Sequence, residues 1–317
     1  MTAPAHQDNT AQTAKGVHLI PADAAIKRLC FDDATQSLRP NLVLVDRQGS
    51  VVFEINELGL KGAARDPARK LAVVWGDSVV FGVRWSWPCL IDDLAPGYQF
   101  LNGGIEADPY GNILRRAAAF NREHEVALNI LLPGWHPMTG LPDLPVRQDR
   151  PATLLARIAA AFPGLRRPPP ALASPAGHPA PPPPSNPGLH DDLLAFLEGT
   201  PNTVLVTMPT ALNRNIVECD LSASFTNSGR DAVFRFAGDF PYSLAAQRYL
   251  FAHITERNRV VREAAEATGK RLIDLAAEFD TENLADFRAD FFDVLHLRPS
   301  AYKKAAAAIY AGIKDLL

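Results

Sequence analysis

The sequence predicts a three-layer α/β/α sandwich built on a mostly parallel five-stranded sheet. Short apolar runs without a polar face recur between residues 71 and 275, amphipathic segments separate them, and Gly, Pro or polar residues bound each run. A strand covered on both faces reads as an uninterrupted apolar stretch. Strand–helix alternation of this kind puts helices on both sides of a parallel sheet. At 317 residues, 47% apolar and 21% charged, the chain can build one such domain with appendages.

Taken in order, residues 1–16 are small, polar and aperiodic, which predicts a disordered tail. Residues 17–66 form an N-terminal extension. Within it Asn41–Asp46 and Ser50–Ile55 flank Arg47-Gln48-Gly49, a β-hairpin pattern with Gly in the turn, expected to pack on the edge of the main fold. From residue 67 to 317 the main domain follows, with strands expected at Leu71–Trp75, Tyr98–Leu101, Val126–Leu132, Asn202–Thr207 and Arg271–Leu275. The clearest helix runs from Ser243 to Thr268, where Leu250, Ile254, Val261 and Ala265 recur at helical spacing and Gly269 is placed to end it. A last helix begins at Pro299, with Ala305, Ile309, Ile313 and Leu316 as its apolar stripe.

One interval departs from the pattern. Residues 163–187 hold 11 of the 27 prolines, including Pro168-Pro169-Pro170 and Pro181-Pro182-Pro183-Pro184. Proline lacks an amide donor and fixes φ, so the stretch reads as an extended surface insertion that could contact a partner domain.

Composition excludes several classes. A net charge of −3 without any Lys/Arg run of five argues against nucleic acid as a partner. Cys30, Cys89 and Cys219 are odd in number and include no C-x-x-C pair, so neither a zinc knuckle nor a disulfide framework is suggested. The sequence has no H-E-x-x-H, no G-x-G-x-x-G and no G-x-x-x-x-G-K, and no metal or nucleotide cofactor is implied. No run approaches the ~18 apolar residues of a membrane span, and Met1–Asp8 lacks the pattern of an export signal. Cytoplasmic residence is the expectation.

Chemistry concentrates at two places. The run Leu71–Trp75 stops at Gly76-Asp77-Ser78, which puts the Ser78 hydroxyl at the carboxyl end of a strand, where open α/β sheets bind ligands. If a helix starts there, its unbonded amides and positive dipole end lie beside the hydroxyl. Asp and Ser are also favoured helix N-caps, so the triplet has a purely structural reading as well. Far along the chain, Asp293-Val294-Leu295-His296 lies in a turn before the last helix. That spacing lets a carboxylate orient an imidazole whose second nitrogen serves a serine.

In these residues the chain resembles the SGNH, or GDSL, hydrolase family. Gly76-Asp77-Ser78 matches the block that carries the family's nucleophile, which falls on Ser78. Asn102-Gly103-Gly104 looks like the second block, whose glycine amide helps form the oxyanion hole; that role falls on Gly104, beside the Ser78 amide. Asp293 and His296 match the family's C-terminal Asp and His, and Asn56–Gly62 resembles an Asn-x-x-Gly lead-in of a bacterial subgroup. The resemblance covers roughly residues 56–317 and implies a flavodoxin-like SGNH fold. Its third block departs from the pattern: after the third strand the family has Gly-x-Asn, and here Gly134-Trp135-His136 puts His136 in the place of the oxyanion Asn. His136 is either a substitute donor, a sign of reduced activity, or a surface residue of a turn. Asp77, Arg84, Trp85 and Trp135 are candidates for shaping the substrate pocket. Trp87, just before Pro88, is expected in the core.

The resemblance implies a serine esterase acting on small acyl esters, acetylated carbohydrate among them, through a covalent acyl-enzyme. Two alternatives stay open at this point: transfer of the acyl group to a sugar hydroxyl, and a catalytically weak scaffold that binds glycan or protein. If an imidazole is the base, hydrolysis of a short-chain aryl ester should rise with pH through roughly 6–7, the ordinary histidine range; a profile flat across that range would contradict it.

Overall fold

The computed structural model describes residues 12–14, 17–19, 29–46, 48–82, 87–135, 188–214, 217, 244–280, 289–291 and 295–317. The Pro-rich interval, Arg84, Trp85, His136, Cys219 and Asp293 lie outside them.

The chain opens with a small sheet rather than a lone hairpin. Strands β1 (Gln12–Ala14) and β2 (Val17–Leu19) pair antiparallel, and β2 runs parallel to β5 (Leu42–Val45), which pairs antiparallel with β6 (Val51–Ile55). Between them β3 (Phe31–Asp32) and β4 (Ser37–Leu38) form a two-residue ladder. The hairpin turn forms where expected. Asp46 Oδ1 accepts from the amides of Gln48 and Ser50, and Gly49 takes φ +77°. The stretch expected to be a disordered tail is therefore paired at 12–14. A three-residue strand is too short to show a period in the sequence; it forms because β2 offers it an edge.

The main domain is the expected three-layer sandwich. Its strands β7 (Lys70–Trp75), β8 (Tyr98–Asn102), β9 (Leu128–Leu131), β10 (Thr203–Val206) and β11 (Leu272–Ile273) lie in the order β11–β10–β9–β7–β8, every neighbouring pair parallel. Alternation along β7 divides the interior into two cores. Leu71, Val73 and Trp75 join Ile113, Ala117 and Phe120 of α2 (Tyr110–Glu123) and Leu193 and Leu197 of α3 (Leu189–Gly199). Ala72 and Val74 join Trp87 and Ile91 of a 3-10 turn, with Ala305 and Ile309 of α6 (Pro299–Ile313). One more turn, α1 (Ser78–Phe81), follows β7 directly, and α5 (Leu275–Glu278) follows β11.

Helix α4 (Leu244–Thr268) serves both cores. Leu250 and Ile254 belong to one, Val261 and Ala265 to the other, so the stripe read as a single face is shared between layers. Gly269 ends the helix at φ +63°, where the Lys270 amide donates to Ala265 O. In α6 the stripe holds for Ala305, Ile309 and Ile313; Leu316 lies past the helix end and is 44% exposed. Among the described residues no helix is long and apolar enough to cross a membrane.

Lys61 stitches the extension to the domain. Its backbone bridges Ile55 of β6 and Asn102 of β8, the edge strand, with amide and carbonyl each bonded to Asn102 at 2.9 and 3.0 Å. Phe53 of the hairpin packs edge-on against Phe81 of α1, their rings 5.2 Å apart. The extension thus shares a core with the turn that carries Ser78.

Burial pushes the Lys61 amine from its ordinary 10.5 down to about 7, against smaller opposing effects of Cys89 and Cys30. Between those values the unfolded chain holds a proton that the folded one has released, so stability rises with pH. Cys30, pushed up by burial from 9.0 to about 12, works in the opposite direction above pH 9. Urea denaturation should therefore show an unfolding free energy that climbs from pH 7 to 9, with a flatter climb in Lys61→Met. Equal slopes in the two proteins would contradict this.

Candidate active site

The site lies at the carboxyl ends of β7, β8 and β9. Strand β7 ends at Trp75, and Gly76 makes the exit because nothing larger fits: a methyl there would lie 2.3 Å from Val80 Cγ2 and 3.0 Å from Leu132 O. Asp77 then caps α1, its Oδ1 accepting from the Val79 amide at 3.0 Å while its backbone carbonyl accepts from Val80 and Phe81. Ser78 is the first residue of the turn, so its own amide is one of the donors the helix cannot use internally.

Across 218 residues of sequence, His296 comes to meet it. Its Nε2 lies 2.8 Å from Ser78 Oγ, within a normal hydrogen bond. His296 sits just before α6, between Leu295 and Leu297, both buried in the core. Burial of these flanking leucines fixes the stretch that brings the imidazole over the end of β7.

The other expected residues divide. Asp77 is completely buried, and its second oxygen, Oδ2, accepts from the Trp135 amide at 2.9 Å. Trp135 is itself buried in the core. Both were expected to shape the substrate pocket; what the described residues show of them is burial and this mutual bond. Asp77 is a latch that joins the start of α1 to the loop after β9. The Asp-as-cap reading accounts for it, and the large apolar ring of Trp135 explains its burial. Trp87 is in the core as expected, its Nε1 donating to Val79 O at 3.0 Å.

Gly104 lies against the serine's turn so closely that a methyl would fall 2.5 Å from the Phe81 nitrogen. Its amide, expected as an oxyanion donor, donates to Asn102 Oδ1 at 2.8 Å. Asn102, at the end of β8 and completely buried, also donates through Nδ2 to Val80 O and Phe81 O, at 2.8 and 3.1 Å. The Asn of Asn102-Gly103-Gly104 thus braces the end of α1.

Three side chains of α4 that no motif signals complete the frame. Arg257 donates to Pro133 O at 3.2 Å, and His253 Nε2 lies 2.7 Å from Trp135 O, so that nitrogen carries the proton. Asn258 bonds both the amide and the carbonyl of Met208, after β10. All three are buried. Burial pulls the Arg257 guanidinium down to about 10, and the Asp77 carboxylate nearby works against that. The loop after β9 is therefore held from both sides, by Asp77 through an amide and by α4 through two carbonyls. These contacts leave no trace in the sequence because each side chain meets a backbone group that only the fold brings near.

A scan against protein-family models and a search of curated proteins find no match. Among solved structures the chain is similar to an alpha/beta hydrolase enzyme from the metagenome of Lake Arreo, Spain, at 12% identity and a TM-score of 0.45, over 78% of this chain and 96% of that one. It is similar to the lipase/acylhydrolase of Enterococcus faecalis at 16% identity and 0.42, over 78% and 96%. A variant of an acetyl xylan esterase from Geobacillus stearothermophilus aligns at 15% identity and 0.42, over 77% and 94%.

The latch is open to test. Asp77→Ala strands two buried amides and should lower the unfolding free energy by about 1–3 kcal/mol, with Asp77→Asn, which keeps one acceptor oxygen, falling between. An unchanged denaturation midpoint in Asp77→Ala would contradict the assignment.

Proposed function

We propose that this chain is a serine-dependent hydrolase of small acyl esters. The observation that carries the reading is the 2.8 Å contact between Ser78 Oγ and His296 Nε2, made by residues 218 positions apart at the carboxyl edge of a parallel sheet. A serine hydroxyl is a weak nucleophile until a base removes its proton. In this reading Ser78 Oγ attacks the acyl carbon as His296 Nε2 takes the proton, and the imidazolium then returns it to the departing alcohol. Water attacks the acyl-serine by the same route in reverse, releasing the acid and restoring the serine. Asp293, three residues before His296 in the sequence, takes the orienting role that the family resemblance gives it.

The oxyanion of the tetrahedral intermediate needs donors near Ser78. The Ser78 amide, at the start of α1, is the first of them. The Gly104 amide is the second, and to serve it must share its hydrogen with Asn102 Oδ1 or release it. Acetylated carbohydrates are within the substrate class that the resemblance implies, and His136, in place of the family's Asn, is assigned as a third donor.

Pre-steady-state kinetics with 4-nitrophenyl acetate test the proposal. The wild type should release a burst of nitrophenol equal to the enzyme present; Ser78→Ala should show none. His296→Ala should slow acylation by about 10²–10⁴-fold. A full burst from Ser78→Ala would overturn the assignment.

A further inference from the structure

Lys61 reaches the serine's turn from the segment between β6 and β7, whose backbone is bonded to the edge strand β8. Its Nζ lies 2.8 Å from Phe81 O and 2.9 Å from Gly82 O, and it donates to both. The amine sits between the rings of Phe53 and Phe81, at 4.7 and 4.8 Å from their centroids, and the residue is only 3% exposed. Burying a lysine amine is costly, because the ammonium is strongly hydrated in water. An apolar side chain of similar length would pack between two phenylalanines without that cost. What the lysine adds is a pair of N–H donors aimed at the last carbonyls of a turn too short to satisfy them itself. The amine keeps at least two N–H bonds whether charged or neutral.

The connection to Ser78 is short. The Gly82 amide donates to Ser78 O at 3.1 Å, and the Gly82 carbonyl is one of the two that Lys61 holds. Asp77 fixes the front of the turn, Asn102 braces Val80 O and Phe81 O, and Lys61 closes the rear. Resting on the serine-nucleophile reading above, we propose that Lys61 is a positioning residue of the active site, holding the end of α1 so that Ser78 Oγ stays aligned on His296. The N-terminal extension then belongs to the catalytic apparatus, since it delivers this side chain. Without those donors, Phe81 O keeps only its bond from Asn102 and the buried Gly82 carbonyl loses its side-chain partner, so the end of the turn is free to shift. A misplacement of about 1 Å between reacting groups can cost 10²-fold in rate.

The test uses the full chain with Lys61→Met and Lys61→Arg. Titration with a fluorophosphonate counts the reactive serines, and steady-state hydrolysis of 4-nitrophenyl acetate then gives kcat per reactive site and KM. A merely structural lysine would change the number of intact sites and leave kcat per site alone. The proposal expects Lys61→Met to lose about 10- to 100-fold in kcat per site with KM within about twofold, and Lys61→Arg to recover most of the loss because guanidinium supplies the donors. Wild-type kcat per site in Lys61→Met, or an arginine variant no better than the methionine one, would overturn it. Should Lys61→Met fail to fold, Lys61→Gln, whose shorter arm misplaces the donors, is read by the same ratio: a tenfold or greater loss supports the proposal and an unchanged value overturns it. A wild type that the probe does not label defeats the nucleophile reading itself. Labelling of the wild type with an unaffected lysine variant defeats only the role of Lys61.

Discussion

A helical turn of four residues cannot hold itself in water. Nucleating a helix fixes several dihedrals for a single hydrogen bond, and so short a segment gains no propagation to offset that. Yet α1, Ser78–Phe81, is the element that presents the hydroxyl to His296. Everything around it supplies the bonds that the turn lacks. Asp77 bonds its first amides, Trp87 holds Val79 O, Asn102 holds Val80 O and Phe81 O, and Lys61 holds Phe81 O and Gly82 O. Gly76 and Gly104 leave room for the turn to sit this close to β8 and β9. Three other pieces of chain, at Lys61, Trp87 and Asn102, converge on one short turn.

The same logic extends along the carboxyl edge of the sheet. Helix α4 spends the middle of its length on buried polar side chains, where a helix packed on a core would ordinarily carry leucine. His253, Arg257 and Asn258 grip the loops after β9 and β10 through backbone groups. Each replaces a lost hydration shell with a bond that also fixes a loop, which is how buried polar groups are tolerated. The loop after β9 is gripped a second time by Asp77, which ties the serine's turn to its neighbouring loop. A rigid frame suits the covalent catalysis proposed above, where alignment set before the reaction costs nothing during it.

The five central strands were legible because both faces of each are covered, leaving apolar runs such as Leu71–Trp75 that differ from their surroundings. The long helix and its glycine end were legible for the same reason of period. Within the site, strand end and turn position made Ser78 and His296 candidates, and their pairing was expected from the resemblance of their sequence blocks, in order, to the SGNH hydrolases. Asp77 was expected at the pocket, and its bonds to the Val79 and Trp135 amides could not be read from the sequence, because residue type alone does not reveal a carboxylate that caps a turn and latches a loop. Lys61, Asn102, His253 and Arg257 act on backbone carbonyls or amides far away in sequence, and a residue whose partner is the backbone leaves no complementary residue to find. The first two strands were missed because three residues cannot display a period of two.

The most direct measurement is a crystal structure of the protein after reaction with a small phosphonate that mimics the tetrahedral intermediate. Phosphorus should be bonded to Ser78 Oγ, with His296 Nε2 within hydrogen-bond reach of the phosphonate's leaving-group side and a phosphoryl oxygen directed at the Ser78 amide. An adduct on another residue, or one on Ser78 with the His296 ring turned away toward the core, would contradict it.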